Sequence, residues 1–140
     1  MPQRSVFISF FLITFMKKFI VIYYAPTSAV EEMANASPED MKKGMEPWMA
    51  WIGKCGDALV DIGSPLGNGV KLLKDGGSTP SDSNVTGYSI LQAEDMEGAK
   101  ALLQDHPHLT WGEGCEIEVH ESLLSRPHLI PFTKAKKERF

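Results

Sequence analysis

Hydrophobic residues along the chain form short runs of strand length at five places. The first run, residues 19–24, is continuous, β-branched and aromatic, which is typical of a strand that is apolar on both faces. Alternating or short apolar runs predict four further strands, at residues 58–62, 70–73, 85–91 and 115–120. In the second strand, the alternation predicts that Leu59 and Asp61 lie on the same face.

Two other stretches have the spacing of apolar positions that indicates helices. The first begins after Ser37, which is placed as an N-cap before a first-turn proline, and it ends at Gly56. Pro47 lies inside this helix and removes a backbone hydrogen bond, so we expect a kink there. The second helix is capped by Asp95 and ended by Pro107. The apolar positions of the first helix are Met41, Met45, Trp48, Met49, Ile52 and Cys55. Those of the second helix are Met96, Ala99, Leu102 and Leu103.

The order of elements is strand, helix, strand, one or two further strands, helix and strand. This order predicts an α+β domain of the ferredoxin-like split βαβ type with an antiparallel sheet. Two helices can cover only one face of such a sheet, so the second apolar face of residues 19–24 needs another partner. A second copy related by a two-fold axis is the simplest partner. We therefore expect a homodimer in the form of a dimeric αβ barrel.

Charge divides the chain into an acidic domain and a basic tail. The 140 residues are enough for one domain with one core. Residues 16–121 carry eight basic and 17 acidic side chains, whereas residues 122–140 carry five basic side chains and one acidic one. An acidic domain repels a phosphate backbone, so we expect no nucleic-acid partner. We expect a solvated, flexible tail, and contact of the tail with an anionic surface is the alternative.

Residues 1–15 raise the question of targeting. They contain a ten-residue apolar run, residues 6–15, with the length of the hydrophobic part of a signal peptide. The run is too short to span a membrane, and no small-residue cleavage site follows it. The two cysteines, Cys55 and Cys115, suggest neither a disulfide framework nor a paired metal-binding motif. We therefore expect a cytoplasmic protein without a membrane partner and with an atypical N-terminal extension, and secretion is the alternative.

The segment His106-Pro107-His108 is the strongest candidate for chemistry. Two imidazoles titrate near neutral pH, as general acid–base catalysis requires. Asp61 is the one charged residue among the apolar positions of its strand, and it could orient an imidazole if the fold brings the two together. The ordinary alternatives are a histidine that interacts with a helix C-terminus and an aspartate that binds turn amides. His120 lies beside two glutamates on the last strand, and we expect it to be solvated.

Aromatic residues supply the ligand-binding candidates. Trp111 lies in a glycine-flanked segment just after the two histidines, where its ring can face a pocket or join the core. Tyr23, in the first strand, is the second candidate. His106, His108 and Asp61 could together ligate zinc or iron(II), although the spacing of the two histidines is weak evidence for a metal. We therefore predict neither a metal site nor a cofactor.

Seven short motifs of the chain have a common resemblance. They are residues 16–24, Lys54-Cys55-Gly56, residues 58–66, Gly87-Tyr88-Ser89-Ile90, Ala93-Glu94, His106-Pro107 and Ile117-Glu118-Val119. Together they resemble the YCII-related proteins, which include the DGPF-type proteins, over residues 16–121. The resemblance implies a ferredoxin-like dimeric αβ barrel, as the pattern of elements does.

The resemblance also implies expectations about chemistry. Some family members resemble small-molecule enzymes such as chlorohydroquinol dechlorinases, for which a His and Asp pair is the proposed catalytic unit. In this chain, Met45 stands where the histidine of the first helix is expected, and methionine cannot transfer protons. The DGPF tetrapeptide is also absent, and Lys74-Asp75-Gly76-Gly77 stands in that neighbourhood.

The sequence is compatible with three functions. The first is a YCII-related small-molecule enzyme that uses His106, His108 and Asp61 for acid–base chemistry on a hydroxylated or carbonyl compound. The second is a non-catalytic, ligand-binding or stress-associated dimeric module. The third is a purely structural dimer subunit. Met45 favours the second function over the first, and the pair of histidines favours the first.

Overall fold

The computed structural model describes residues 16–124, so the predicted extension at residues 1–15 and the tail from residue 125 onward lie outside the described residues. The strands of this part of the chain are β1 (Lys17–Tyr24), β2 (Leu59–Pro65), β3 (Val70–Leu72), β4 (Ser78–Pro80), β5 (Val85–Ala93) and β6 (Glu116–Glu121). Its α-helices are α1 (Thr27–Ala34), α2 (Pro38–Cys55), α3 (Met96–Leu103) and α4 (Pro107–Trp111). A single 3₁₀ turn, Gly56–Ala58, joins α2 to β2.

Four of the strands form one antiparallel sheet in the order β2-β5-β1-β6. The first strand of the chain therefore lies inside the sheet, paired with β5 on one side and with β6 on the other. Strands β3 and β4 form a separate hairpin. The predicted α+β class with an antiparallel sheet is confirmed. Within the described residues, no helix is both long enough and apolar enough to cross a membrane.

Helices pack on one face of the four-stranded sheet. In β1, buried positions alternate with partly exposed ones, and Phe19, Val21 and Tyr23 lie on the buried face. Trp51 of α2 is buried against them, and its indole nitrogen donates to the carbonyl oxygen of Leu102 in α3 at 2.9 Å. This contact ties the two helices together above the sheet. The buried core consists of Phe19, Val21, Tyr23, Trp51, Cys55, Leu91, Ala93, Ala99 and Leu103.

The predicted helix caps are confirmed. The Ser37 hydroxyl accepts a hydrogen bond from the backbone N–H of Asp40 at 3.1 Å, which satisfies one of the free amides at the start of α2. The Asp95 carboxylate accepts in the same way from Gly98 at 2.9 Å. α2 ends at Gly56, whose φ of 54° suits glycine. The helix continues without a break through Pro47.

Three elements are not predicted by the hydrophobic pattern. α1 buries only Ala29 and has no side-chain cap, so it has neither of the signals that identify a helix in a sequence. β4 is polar and exposed, and it exists through its pairing with β3. α4 starts directly after His106. The alternative in which His106 interacts with a helix C-terminus is therefore wrong, because this residue caps the N-terminus of the next helix.

The alternation predicted for β2 is also wrong. Leu59 packs against the core, whereas the carboxylate of Asp61 meets the Tyr88 hydroxyl on the opposite face. The cause is irregular pairing with β5, whose register shifts on both sides of Asp61. Gly63 has a φ of 83°, and a Cβ there would overlap the carbonyl oxygen of Tyr88. This close approach of two backbones requires glycine.

Candidate functional site

His106 is fully buried at the start of α4, where its side chain caps the helix. Its Nδ1 accepts a hydrogen bond from the backbone N–H of His108 at 3.0 Å. A ring nitrogen that accepts a hydrogen bond carries no proton, so the neutral ring has its proton on Nε2. The helix cap therefore fixes the tautomer of His106.

The Nε2–H of His106 begins a chain of hydrogen bonds that ends in the sheet. Nε2 lies 3.3 Å from the Tyr23 hydroxyl oxygen, and that oxygen lies 2.8 Å from Oγ of Ser89. Ser89 donates to the carbonyl oxygen of Ile62 at 2.8 Å. Since the chain starts at a fixed donor and ends at a carbonyl, each hydroxyl accepts one hydrogen bond and donates the next. Every buried side-chain nitrogen and oxygen of the described residues has a partner.

Burial makes His106, His108 and Tyr23 poor proton-transfer groups near pH 7. It lowers the pKa of His106 from 6.5 to about 4, and the neighbouring His108 adds to the effect. Burial also lowers the pKa of His108, against the opposing effect of hydrogen bonds to the backbone of Tyr24 and Glu116. It raises the pKa of Tyr23 to about 12, although the hydrogen bond with Ser89 opposes the shift. All three side chains are therefore neutral at neutral pH.

Aromatic rings surround the two histidines. The ring of His106 lies 4.4 Å from Trp51, 4.6 Å from Trp48 and 5.2 Å from Tyr23, measured between ring centroids. His108 lies 5.1 Å from Tyr23 and 5.7 Å from Trp111, and its Nε2 donates to the carbonyl oxygen of Tyr24 at 2.7 Å. Both imidazoles are held as parts of the core. Trp111, which is 37% exposed, lies at the margin of this cluster.

Asp61 lies on the other side of the sheet from the histidines. Its carboxylate accepts from the backbone N–H of Gly63 at 2.9 Å and from the Tyr88 hydroxyl at 3.5 Å. Tyr88 and Ser89 are successive strand residues, so their side chains point to opposite faces, and Ser89 belongs to the face that holds His106. The structure therefore brings together His106, His108, Tyr23 and Trp111 and leaves Asp61 apart from them. The bond to Gly63 is the turn-amide alternative considered for Asp61.

The face that holds Asp61 is open in the described chain, with an apolar centre and polar edges. The central strands contribute Ile20, Ile22 and Ile90, all of which are partly exposed. The outer strand β6 places His120 beside Ile20 and Glu118 beside Ile22. The Nε2 of His120 lies 2.7 Å from the Glu118 carboxylate, and both side chains are more than half exposed. His120 is solvated as expected, and it is paired.

A cleft of about 200 Å³ opens beside this face, where β1 and β6 meet at the C-terminal end of β1. Tyr24 contributes to the lining, and its pKa is raised by burial first and then by the charge and hydrogen bond of Glu118. The lining offers carboxylate, phenol, amide and hydroxyl groups and contains no lysine or arginine. The residues that line the cleft are Tyr24, Ala25, Pro26, Ser83, Asn84, Gly114, Glu116, Ile117 and Glu118.

Several residues of these two regions are absent from the sequence-based candidates. Ser89 links Tyr23 to the sheet, and its signal in the sequence is a hydroxyl at a core-facing position between Gly87 and Leu91. Glu118 is the second such residue, because nothing in the sequence indicates that it meets Tyr24. Within residues 16–124, no group of three or more His, Cys, Asp or Glu side chains is arranged to hold a metal ion.

No protein-family model matches the chain, and no curated protein matches it. The resemblance to YCII-related proteins therefore stays a prediction from the motifs quoted above.

Proposed function

We propose that the chain is a YCII-related, ferredoxin-like domain that works as a homodimer and binds a small hydroxylated or carbonyl compound without catalysing a reaction at His106 and His108. The strand order β2-β5-β1-β6, with helices after the first and third of these strands along the chain, supports the ferredoxin-like assignment. The two free, buried cysteines suit a reducing cytoplasm.

One observation carries the proposal, namely the difference between the two sheet faces. The helices cover one face, while the opposite face presents an apolar centre at Ile20, Ile22 and Ile90 with charged side chains at its edges. An apolar core with a polar rim is the usual composition of a protein interface. A second copy, packed face to face about a two-fold axis, would cover both apolar centres at once. The αβ barrel would consist of these two sheets.

The ligand site belongs, in this proposal, to the cleft at Tyr24 and Glu118. Its lining is rich in hydrogen-bond acceptors, which a hydroxylated compound can satisfy. The acid–base alternative at His106 and His108 is less well supported, because both imidazoles are enclosed and Asp61 is hydrogen-bonded on the other face. Tyr23 is also 4% exposed, so a ligand has little access to it.

Sedimentation equilibrium of an Ile22→Glu variant tests the dimer. The substitution places one charge per copy in the centre of the proposed interface, and an unpaired buried charge is strongly unfavourable. We expect the wild type to be a dimer at micromolar concentration and the variant to dimerise at least about 100-fold more weakly, which corresponds to about 3 kcal/mol.

Met45→Glu is the matched control, because Met45 is exposed on the helical side of the domain. We expect this variant to remain dimeric. A monomeric wild type, or a loss of the dimer in Met45→Glu but not in Ile22→Glu, would contradict an interface on the open sheet face. Circular dichroism of both variants shows whether the fold is intact.

A further inference from the structure

Residues 70–80 form an exposed hairpin that lies apart from the four-stranded sheet. Its strands, β3 and β4, pair with each other, and every residue from 64 to 84 is exposed. A two-stranded hairpin without further packing is at best marginally stable in water. We call residues 70–80 the arm.

The arm has one apolar face and one polar face. Val70 and Leu72 lie on the same face as Pro80, which pairs with Val70, whereas Lys71 points to the other face. Val70 is 65% exposed and Leu72 is 78% exposed. An apolar strand face is normally buried against another element, so the arm needs a partner.

The tip of the arm presents a positive charge. The carboxylate of Asp75 holds the turn, because it accepts a hydrogen bond from the Gly77 N–H at 2.8 Å. The neighbouring Lys74 makes no ion pair within residues 16–124. The arm therefore offers a partner an apolar face and a cation beyond it.

The arm and the cleft lie at the same end of the sheet but at opposite edges. One row of paired residues crosses this end, from Pro65 in β2 through Gly87 and Tyr23 to Ile117 in β6. β2 leads into the arm, and the start of β6 lines the cleft. Because the strand order is β2-β5-β1-β6, the arm belongs to one edge and the cleft to the other.

We infer that the arm of each copy covers the cleft of the other copy and brings Lys74 of the partner subunit to Glu118. This inference rests on the proposed function, because it needs both the dimer and the cleft. The partner of the arm is then a second copy of this chain. The ligand site consists of residues from both copies.

The symmetry of a dimer and the charges of the sheet edges support this arrangement. Two sheets in aligned, face-to-face packing can be related by a two-fold axis across the strands or along them. An axis across the strands places β6 over β6, so that Glu116 and Glu118 of one copy face the same carboxylates of the other. An axis along the strands places β2 over β6 and keeps the ends of the sheets together. The arm then meets the cleft, and Ile20 and Ile22 meet Ile90.

The dimensions and the chemistry of the cleft agree with a docked arm. Sheets packed face to face lie about 10 Å apart, and the five residues 70–74 extend roughly 16 Å. The cleft is lined by the carboxylates of Glu116 and Glu118 and by no lysine or arginine, so Lys74 complements its charge. A carboxylate has about four acceptor positions. Glu118 can therefore bind both the lysine and a ligand hydroxyl.

Cross-linking between two chains of different length tests the contact. A tagged chain carries Lys74→Cys, an untagged chain carries Glu118→Cys, and the two are co-expressed and treated with a short bismaleimide. Cys55 and Cys115 are buried, so the introduced cysteines react first. We expect a cross-linked heterodimer. The matched control replaces Glu118→Cys by Lys43→Cys, which is exposed on the helical side, and we expect no heterodimer there.

Sedimentation of the wild type and of Ile22→Glu, run in parallel, separates the arm from the dimer. A dimer that Ile22→Glu disrupts but that gives no cross-link between positions 74 and 118 would overturn the inference and leave the proposed interface in place. A cross-link that forms only within one chain carrying both cysteines would also overturn it, because the arm would then cover its own cleft. A monomeric wild type would overturn the dimer and the inference together.

Charge reversal tests the pairing of Lys74 with Glu118. We expect Lys74→Glu to weaken dimerisation about 10-fold, since each dimer contains the contact twice. Adding Glu118→Lys to the same chain restores opposite charges, and we expect it to recover most of the loss. A loss that the second substitution deepens would contradict the pairing.

Discussion

The two faces of the sheet carry the same kinds of polar residue in opposite situations. On the covered face, His106 bonds to Tyr23, and both are enclosed by aromatic rings. On the open face, His120 bonds to Glu118 and Tyr88 bonds to Asp61, all in contact with solvent. The covered face pairs its polar groups with neutral partners and backbone, whereas the open face pairs them with carboxylates.

This difference shows that residue type alone does not locate a functional site in this chain. His106 and His108 are the more conspicuous pair in the sequence, yet burial lowers the pKa of each and neutral partners hold them in one state. The open face has weaker sequence signals, but its side chains are accessible and its cleft can admit a ligand. The covered face therefore supports the fold, and the open face is available for partners.

Removing one tyrosine hydroxyl from each face gives the largest expected difference in stability. Tyr23→Phe leaves the Nε2–H of His106 and one acceptor site of Ser89 without a partner, and we expect the free energy of unfolding to fall by about 2 kcal/mol. Tyr88→Phe removes a solvent-exposed contact of 3.5 Å, and we expect a change below about 0.5 kcal/mol. Urea denaturation at one protein concentration measures both changes. Equal effects would mean that the buried chain does not support the fold.

The pH dependence of stability is the next largest effect. The pKa of His106 is about 4 in the folded protein, against the ordinary histidine value of 6.5, so between these values the unfolded chain binds a proton that the folded chain does not. The stabilisation that comes from neutral His106 is complete above pH 6.5 and is lost as pH falls towards 4. The free energy of unfolding then changes by at most about 1.4 kcal/mol per pH unit. His108 acts in the same direction, because burial lowers its pKa too.

The variant His106→Asn isolates this contribution. Asparagine can still cap α4, because its side-chain oxygen accepts from a backbone N–H, but it does not titrate. We expect the stability difference between the wild type and the variant to be constant above pH 7 and to shrink steadily between pH 6.5 and 4.5. Urea denaturation at successive pH values measures it. A difference that stays constant down to pH 4.5 would show that His106 is protonated equally in both states.

The strongly patterned elements of the fold could be predicted from the sequence. β1 is identified by its continuous apolar run and α2 by its cap and spacing, because their own residues specify them. α1 and β4 could not be predicted, since a helix with one buried residue and a polar strand depend on neighbours. The position of Asp61 depends on an irregular pairing at Gly63. A local backbone irregularity reverses a face assignment that rests on perfect alternation.

Substitution of Glu118 is expected to have the smallest effect on the stability of the free protein. The same substitution is expected to have the largest effect on ligand binding. Glu118→Gln alters an exposed hydrogen bond with His120, and such surface substitutions change stability by about 0.5 kcal/mol or less. In the proposed function, however, the Glu118 carboxylate accepts hydrogen bonds from the ligand. We expect small hydroxylated compounds, which can donate to this carboxylate, to raise the melting temperature of the wild type and not that of Glu118→Gln.

Glu97→Gln is the matched control for this last comparison, because the Glu97 carboxylate also makes one exposed side-chain contact, with Lys100 at 3.2 Å in α3. Both variants lose one negative charge and one surface pair, so a general effect of charge would act on them equally. Only Glu118 lines the cleft, and we expect Glu97→Gln to respond to ligands as the wild type does. A Glu118→Gln variant that also keeps the full response would place the ligand site elsewhere, and the open face would then serve dimerisation alone.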